Sequence, residues 1–279
     1  MSTATVVNQL PVAPDKRPRA SRKARREAAR SILLPVLGIA LLFALWWGAV
    51  LGFDIDKFLL PSPADVYAAF AENPGYLLAQ TWVTFLETVQ GFALAIVIGV
   101  PIATLIASSR VIEQMLYPIL LAINAAPKVA IAPLLVVWMG FGQAPKVVMV
   151  VLLCFFPIVL ATTTGLRSTP AEFIDLAKSL RASPLQVFLK FRAPFALEQV
   201  FVGLKTAISL AVIGAVIAEF VGASEGLGYL IVQSGSSANT ALAFVAIVLL
   251  AIMSIVLFYA LALLERLLLP WAESRRADK

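Results

Sequence analysis

Long apolar stretches dominate this chain and restrict it to one kind of fold. Six of them, each long enough to cross a bilayer, lie at 31–52, 82–107, 111–140, 147–164, 200–222 and 241–264. Spanning a bilayer takes about 20 apolar residues of helix. With 279 residues, of which 61% are hydrophobic and 14% charged, the chain cannot bury this apolar surface in a soluble core. The sequence predicts an all-α integral membrane protein with six transmembrane helices.

Basic residues divide the polar segments into two groups. Lys and Arg are concentrated in 16–30 and recur in 169–194 and 271–279, whereas 223–240 contains neither. Because cytoplasmic segments carry the excess of Lys and Arg, both termini and loop 169–194 are predicted to be cytoplasmic. We expect a disordered basic tail over 1–30, a transmembrane domain over 31–270 and a short tail over 271–279. The basic tail fits anionic membrane lipid better than nucleic acid.

Missing residue types exclude several kinds of chemistry. The chain has no histidine, which removes Ser-His triads and HExxH zinc sites, and its one cysteine, Cys154, allows no disulfide framework. It has no Gly-Lys dipeptide, so it lacks the phosphate-binding loop of ATPases. We therefore expect no metal site, no cofactor bound by this chain and no enzymatic activity of its own.

Loop 169–194 is the longest polar interruption between the apolar stretches. It contains two helix-start signals, Thr169-Pro170 with Glu172 and Ser183-Pro184 with Gln186. Each is typical of a capping box, and one cap is worth about 1 kcal/mol. The loop is therefore predicted to form two short helices with a break near Ala182 and a stop at Pro194.

The first of these helices is amphipathic. Its apolar residues fall on one face at helical spacing: Phe173, Leu176, Ala177 and Leu180. The pattern by itself leaves three alternatives open, since such helices could lie on the membrane, fill a groove on a partner or cap the bundle.

The third apolar stretch is interrupted by prolines and one charge. Asn124, Pro127, Lys128 and Pro133 follow one another there, and prolines open carbonyl groups that must face protein or a water-filled path. A lysine near the membrane middle is costly and is a functional candidate by default. We read these four residues as lining a pathway, with kinked packing as the alternative.

Two acidic residues, Glu87 and Glu219, lie near the predicted outer ends of their spans. Glu87 and Glu219 should face protein or water rather than lipid, and both are further pathway candidates. An ion pair of Lys128 with either of them, or a lysine reaching the outer surface, competes with a pathway role for Lys128.

A family resemblance rests first on loop 169–194. The relevant positions are Asp175, Leu176, Ala177, Arg181, Ala193 and Pro194. Their spacing resembles the EAA loop of permease subunits in binding-protein-dependent ABC importers, although Asp, Leu, Arg and Ala replace the usual Glu, Ala, Gly and Leu. Segments 60–70, 126–142 and 218–231 look like the nitrate, sulfonate and taurine branch of these permeases.

The resemblance implies a fold and a role for the loop. The fold is the ABC type I importer permease fold, in which the loop forms coupling helices that dock into ATPase subunits. It assigns the coupling residues Glu172, Phe173, Asp175, Leu176, Ala177, Leu180, Arg181 and Ser183.

The same resemblance implies a transport subunit of the bacterial inner membrane. It would work as a homodimer with two cytoplasmic ABC ATPase subunits, which use ATP and Mg, and a periplasmic solute-binding protein. The cargo would be a small organic or inorganic anion such as a sulfonate, taurine or nitrate, with a pyrimidine vitamin precursor as the alternative. An ion-coupled carrier or an intramembrane enzyme would need acids, repeats or nucleophiles that are scarce in this sequence.

Overall fold

The computed structural model describes residues 22–270, with side chains from residue 33 onward, and every regular element in this range is helical. The helices are α1 (Arg22–Gly52), α2 (Pro63–Glu72), α3 (Pro74–Ser108), α4 (Arg110–Ala125), α5 (Lys128–Met139), α6 (Gln143–Arg167), α7 (Ala171–Ser179), α8 (Pro184–Val187), α9 (Ala193–Gly222), α10 (Leu227–Ser236) and α11 (Thr240–Leu268). A five-residue π-helical segment, Phe188–Arg192, joins α8 to α9. The predicted all-α class is confirmed.

Helix α1 belongs to a first compact unit and the remaining helices to a second. Because α1 begins at Arg22, residues 22–30 are helical, which differs from the predicted disordered tail in that part. The rest of that tail and the short tail after residue 270 lie outside the described residues.

The membrane-spanning helices agree with the prediction except in the third stretch. Five described segments are long and apolar enough to cross a membrane: Leu33–Gly52, Pro74–Ser108, Gln143–Arg167, Pro184–Gly222 and Thr240–Leu268. Helices α4 and α5 together form a sixth candidate span, which is bent by 88° where the two helices meet. The third predicted span is therefore present as two helices with a break between them, where a single helix was expected. Pro127 forces extended backbone on Ala126 (φ −62°, ψ 138°), which ends α4.

Helices α3, α6 and α9 form the centre of the second unit. Their core contains Ala95, Val150, Cys154, Ile158 and Ala207, all 0 or 1% exposed. Small residues bring the helix backbones together: a Cβ at Gly203 of α9 would overlap the Cβ of Ala161 on α6. Close approach through small residues is the usual way in which membrane helices gain packing energy.

Loop 169–194 contains the two predicted short helices, but only one of the predicted caps. Ser183 Oγ accepts a hydrogen bond of 3.3 Å from the Gln186 N–H, and Gln186 Oε1 accepts one of 2.8 Å from the Ser183 N–H. This confirms the second capping box. The first was wrong, since α7 begins at Ala171 after an extended Pro170, and Thr169 makes no capping hydrogen bond.

The end of the loop also differs from the prediction. The two short helices are separated at Arg181, which has a φ of +52°, next to the predicted break. Pro194 was expected to stop the second helix, and this was wrong. It directly follows the π-helical segment Phe188–Arg192 as the second residue of α9, and the helical backbone continues through it.

Candidate functional site

Glu219 of α9 is the centre of a buried polar network. The residue is 1% exposed. Its Oε1 accepts a hydrogen bond of 2.7 Å from the Thr84 hydroxyl of α3, and its Oε2 accepts one of 2.5 Å from the Gly228 N–H of α10. Three helices are therefore joined through one carboxyl group.

The start of α10 is capped by the same network. The Gly226 N–H donates to Gln80 Oε1 at 2.5 Å, and the Leu227 N–H donates to Thr84 Oγ at 2.8 Å. These groups and Gly228 N–H would otherwise be unsatisfied at a helix N-terminus. Gly226 has a φ of +110°, and a Cβ there would overlap the Glu219 carboxyl group, so the position requires glycine.

Glu87 pairs with a lysine on the neighbouring helix α6. Its Oε1 lies 2.6 Å from Lys146 Nζ, and the two side chains are 3% and 7% exposed. Residue 146 falls between two of the predicted spans, and the sequence did not single it out. A buried pair of this kind is stable only while both partners are present, because each charge alone would be unsolvated.

A cavity of about 520 Å³ lies beside the Glu87–Lys146 pair. Gln143, Glu225 and Phe141 also line it. Its volume lies within the range of about 300–1,000 Å³ that is common for small-molecule sites. The cavity therefore offers a small solute both charged and aromatic contacts at the predicted outer end of the bundle.

The bend between α4 and α5 contains the predicted pathway residues. Lys128 begins α5, and its Nζ donates to Asn124 Oδ1 at 2.7 Å and to the Asn124 carbonyl at 3.1 Å. The lysine thus binds the end of α4, where a cation favours the helix dipole. The ion pairs with Glu87 or Glu219 were wrong, since both acids bind other groups.

Pro127 and Pro133 are exposed on either side of Lys128. Among the described residues, Asn124, Pro127, Lys128 and Pro133 do not line the cavity beside Glu87. The structure thus divides the predicted pathway residues between two places, the α4–α5 bend and the buried acids.

The coupling candidates of α7 also divide into two groups. The Phe173 ring packs on Phe195 with ring centroids 5.1 Å apart, and Ala177 is fully buried, so these two hold α7 against its own chain. Leu176 and Leu180 are 50% and 69% exposed. The predicted single apolar face is therefore only half covered.

The polar coupling candidates lie at the surface of the loop. Asp175 pairs with Lys178 at 2.9 Å, with both side chains exposed, while Glu172 and Ser183 are exposed as well. Arg181 is exposed at the turn between α7 and α8.

Sequence reasoning missed Gln80, Thr84 and Lys146. Gln80, Thr84, Glu87 and Thr88 recur every three or four residues along α3, so a polar stripe at helical spacing was available as a signal.

Within the described residues no cluster of three or more His, Cys, Asp or Glu could hold a metal ion.

Comparisons with known proteins identify the family. Residues 95–272 match the family described as "Binding-protein-dependent transport system inner membrane component". The chain belongs to this family. A probable ABC transporter permease protein of Haemophilus influenzae is 41% identical over 82% of this chain and 94% of its own length. The protein is thus an ABC importer permease and a multi-span protein of the inner membrane, and the family implies ATPase and solute-binding-protein partners.

Relatives of this permease carry names for several cargoes. The riboflavin transport permease of Chloroflexus aurantiacus is 38% identical over 86% of this chain and 92% of its own. The formylaminopyrimidine transport permease of Halalkalibacterium halodurans is 33% identical over 87% and 97%. The putative aliphatic sulfonate permease of Bacillus subtilis is 29% identical over 88% of each chain, and the taurine permease of Escherichia coli is 28% identical over 89% and 93%.

A solved structure agrees with the fold. A chain of the methionine ABC transporter MetNI, in an inward-facing conformation, superposes with a TM-score of 0.62 at 21% identity, covering 68% of this chain and 95% of that chain. The predicted type I importer permease fold is therefore confirmed, as is the resemblance to sulfonate and taurine permeases. None of the relatives named above is named for nitrate.

Proposed function

We propose that this permease forms the translocation path for a small organic solute and is driven by separate ATPase subunits that dock on loop 169–194. One observation carries the coupling proposal: two leucines of the polar segment before the span Pro184–Gly222 are exposed. Leu176 and Leu180 are 50% and 69% exposed. An apolar patch of this kind in a polar segment marks an interaction surface.

The loop is built to transmit force as well as to bind. Phe173 contacts Phe195, which lies in the first turns of the spanning helix α9, and the π-helical segment Phe188–Arg192 runs directly into that helix. A partner that moves α7 would therefore move α9 with it. Rigid-body motion of packed helices is a common form of such switching.

ATP and Mg are used by the partner in this proposal. The full sequence has no Gly-Lys dipeptide and hence no phosphate-binding loop of the ATPase kind. The permease itself acts as a homodimer, with loop 169–194 and both termini in the cytoplasm and the solute-binding protein on the periplasmic side. The distribution of Lys and Arg supports this orientation.

A small organic anion is the first candidate cargo. Lys128 is a half-buried cation at a break in a membrane-spanning segment, and it has no carboxylate partner among the described residues. A charged group beside an irregular backbone segment is the usual form of an intramembrane solute site. Relatives named for sulfonates and taurine support this class.

A heterocyclic vitamin precursor is the second candidate cargo. The relatives named for riboflavin and formylaminopyrimidine are 38% and 33% identical, compared with 29% and 28% for those named for sulfonate and taurine. The family match leaves the ion-coupled carrier and the enzyme without support.

The two cargo classes are separated by substrate-stimulated ATP hydrolysis. The permease, its ATPase and its solute-binding protein are reconstituted in liposomes and supplied with taurine, an alkanesulfonate, riboflavin or formylaminopyrimidine. Stimulation by the two sulfonates alone supports an anion. Stimulation by the heterocycles alone contradicts it and supports the second candidate.

A further inference from the structure

A second cavity, of about 380 Å³, lies at the end of the bundle that carries loop 169–194. It is formed where α3 ends, α4 begins, α6 ends and α7 begins. Its polar lining consists of three arginines and two hydroxyl groups, from Arg110, Arg167, Arg192, Ser108 and Thr169. It is separate from the outer cavity and shares no lining residue with it.

The charge of this second cavity is strongly positive. Arg167 is ion-paired with Glu113 and donates a hydrogen bond of 3.2 Å to the Ile106 carbonyl, so it is held in place and partly neutralised. Within the described residues, Arg110 and Arg192 form no salt bridge. Among the residues whose side chains are described, no acidic one lines the cavity. Arg192 is therefore left to attract an anion, together with Arg110, whose charge also acts on the nearby Glu113.

A hydroxyl group beside the arginines also lacks a partner. Thr169 Oγ is buried and makes no hydrogen bond with any described residue. Arginine forks and hydroxyl groups are donors that proteins use for phosphate.

We propose that this second cavity binds a phosphate group through Arg110, Arg192 and Thr169. The phosphate belongs either to the headgroup of an anionic phospholipid or to a soluble phosphate compound. Both sources reach the site, since it lies at the predicted cytoplasmic membrane surface, where anionic lipid and basic side chains meet. A bound phosphate joins the start of α7 to the ends of α3, α4 and α6.

The test measures binding to the purified permease. Native mass spectrometry compares the number of dioleoylphosphatidylglycerol molecules bound to the permease with the number of dioleoylphosphatidylcholine molecules. Equilibrium dialysis measures the binding of radiolabelled inorganic phosphate. The variant Arg110→Gln/Arg192→Gln removes both of these guanidinium groups. A charge-matched control, Lys178→Gln/Lys190→Gln, removes two exposed cations of the same loop that do not line the cavity.

Loss of one charge-assisted contact weakens binding by about tenfold or more. We expect the arginine variant, but not the lysine control, to lose phosphatidylglycerol selectivity or phosphate binding. Arginine-dependent selectivity for phosphatidylglycerol supports a lipid, and arginine-dependent binding of inorganic phosphate supports a soluble compound. A second variant, Thr169→Val, keeps the charges and weakens the same binding. The proposal is overturned if the wild type neither prefers phosphatidylglycerol to phosphatidylcholine nor binds inorganic phosphate. It is also overturned if the lysine control lowers binding as much as the arginine variant does.

Discussion

The Thr84 hydroxyl of α3 donates a hydrogen bond of 2.7 Å to Glu219 Oε1 of α9, although the two residues are 135 positions apart. The Thr84 oxygen also accepts the Leu227 N–H at the start of α10. One hydroxyl thus serves as donor and acceptor between three helices. Together with the Gln80–Gly226 and Glu219–Gly228 hydrogen bonds, it holds the start of α10 against α3 and α9.

The first prediction follows from this double role. Thr84→Val keeps the shape of the side chain but leaves Glu219 Oε1 and the Leu227 N–H without their partner, and each unsatisfied buried group costs about 1–3 kcal/mol. We expect a clearly lower melting temperature of the purified permease. Thr84→Ser should retain most of the stability. Thr206→Val on α9 is the matched control, since the exposed Thr206 hydroxyl binds only the Val202 carbonyl of its own helix; an equal loss there would contradict the prediction.

The second prediction concerns the buried Glu87–Lys146 pair. Removing one member leaves the other charge buried and alone, which costs about 3–5 kcal/mol. Glu87→Gln and Lys146→Met should each destabilise the permease strongly. The double variant should recover much of the loss, and melting temperatures of all four proteins measure this coupling. Additive losses in the double variant would show that the two residues act independently.

The third prediction tests the orientation of the loop. In a Cys154→Ala background, a cysteine at the exposed Ser183 should be protected from a membrane-impermeant thiol reagent in intact cells and labelled after lysis. A cysteine at Ser237, in the predicted outer segment, should be labelled in intact cells. The reverse pattern would contradict the proposed cytoplasmic loop.

The fourth prediction tests the cargo charge at Lys128. Transport is compared in Lys128→Ala, Lys128→Met and Lys128→Glu variants that still assemble with the ATPase. If the cargo is an anion that passes Lys128, reversing the charge should reduce transport much more than neutralising it. Equal transport in the three variants would leave Lys128 with only its contact to the end of α4.

Features set by nearby residues could be predicted from the sequence. The apolar stretches give the spanning helices because length and hydropathy suffice for this purpose. The capping box at Ser183 and Gln186 depends on residues three positions apart, and the structure has it as expected.

Features that depend on neighbouring elements could not be predicted in the same way. Pro170 takes the cap position because α6 continues to Arg167 and only a short connection remains before α7. The 88° bend shows that Pro127 ends a helix, whereas Pro101 and Pro157 remain inside helices, and composition does not distinguish these cases. The Gln80–Gly226 contact joins residues 146 positions apart and exists only through packing.

An ATPase is proposed to drive this permease through loop 169–194. Leu176→Ala/Leu180→Ala removes the exposed leucine of α7 and the one directly after it but leaves Phe173 and Ala177 to hold the helix in place, so the variant should fold and insert normally. Burying a leucine at an interface stabilises it by about 1.5–3 kcal/mol. The control is Leu59→Ala, since Leu59 is as exposed as Leu180, at 69%, and lies in the predicted outer connection.

The most direct measurement is the amount of ATPase subunit that co-purifies with each variant, together with the ATP hydrolysis that cargo and binding protein stimulate. We expect Leu176→Ala/Leu180→Ala to lose most of both and Leu59→Ala to retain them. Unchanged co-purification and stimulated hydrolysis in the leucine variant would show that the ATPase does not dock on these leucines.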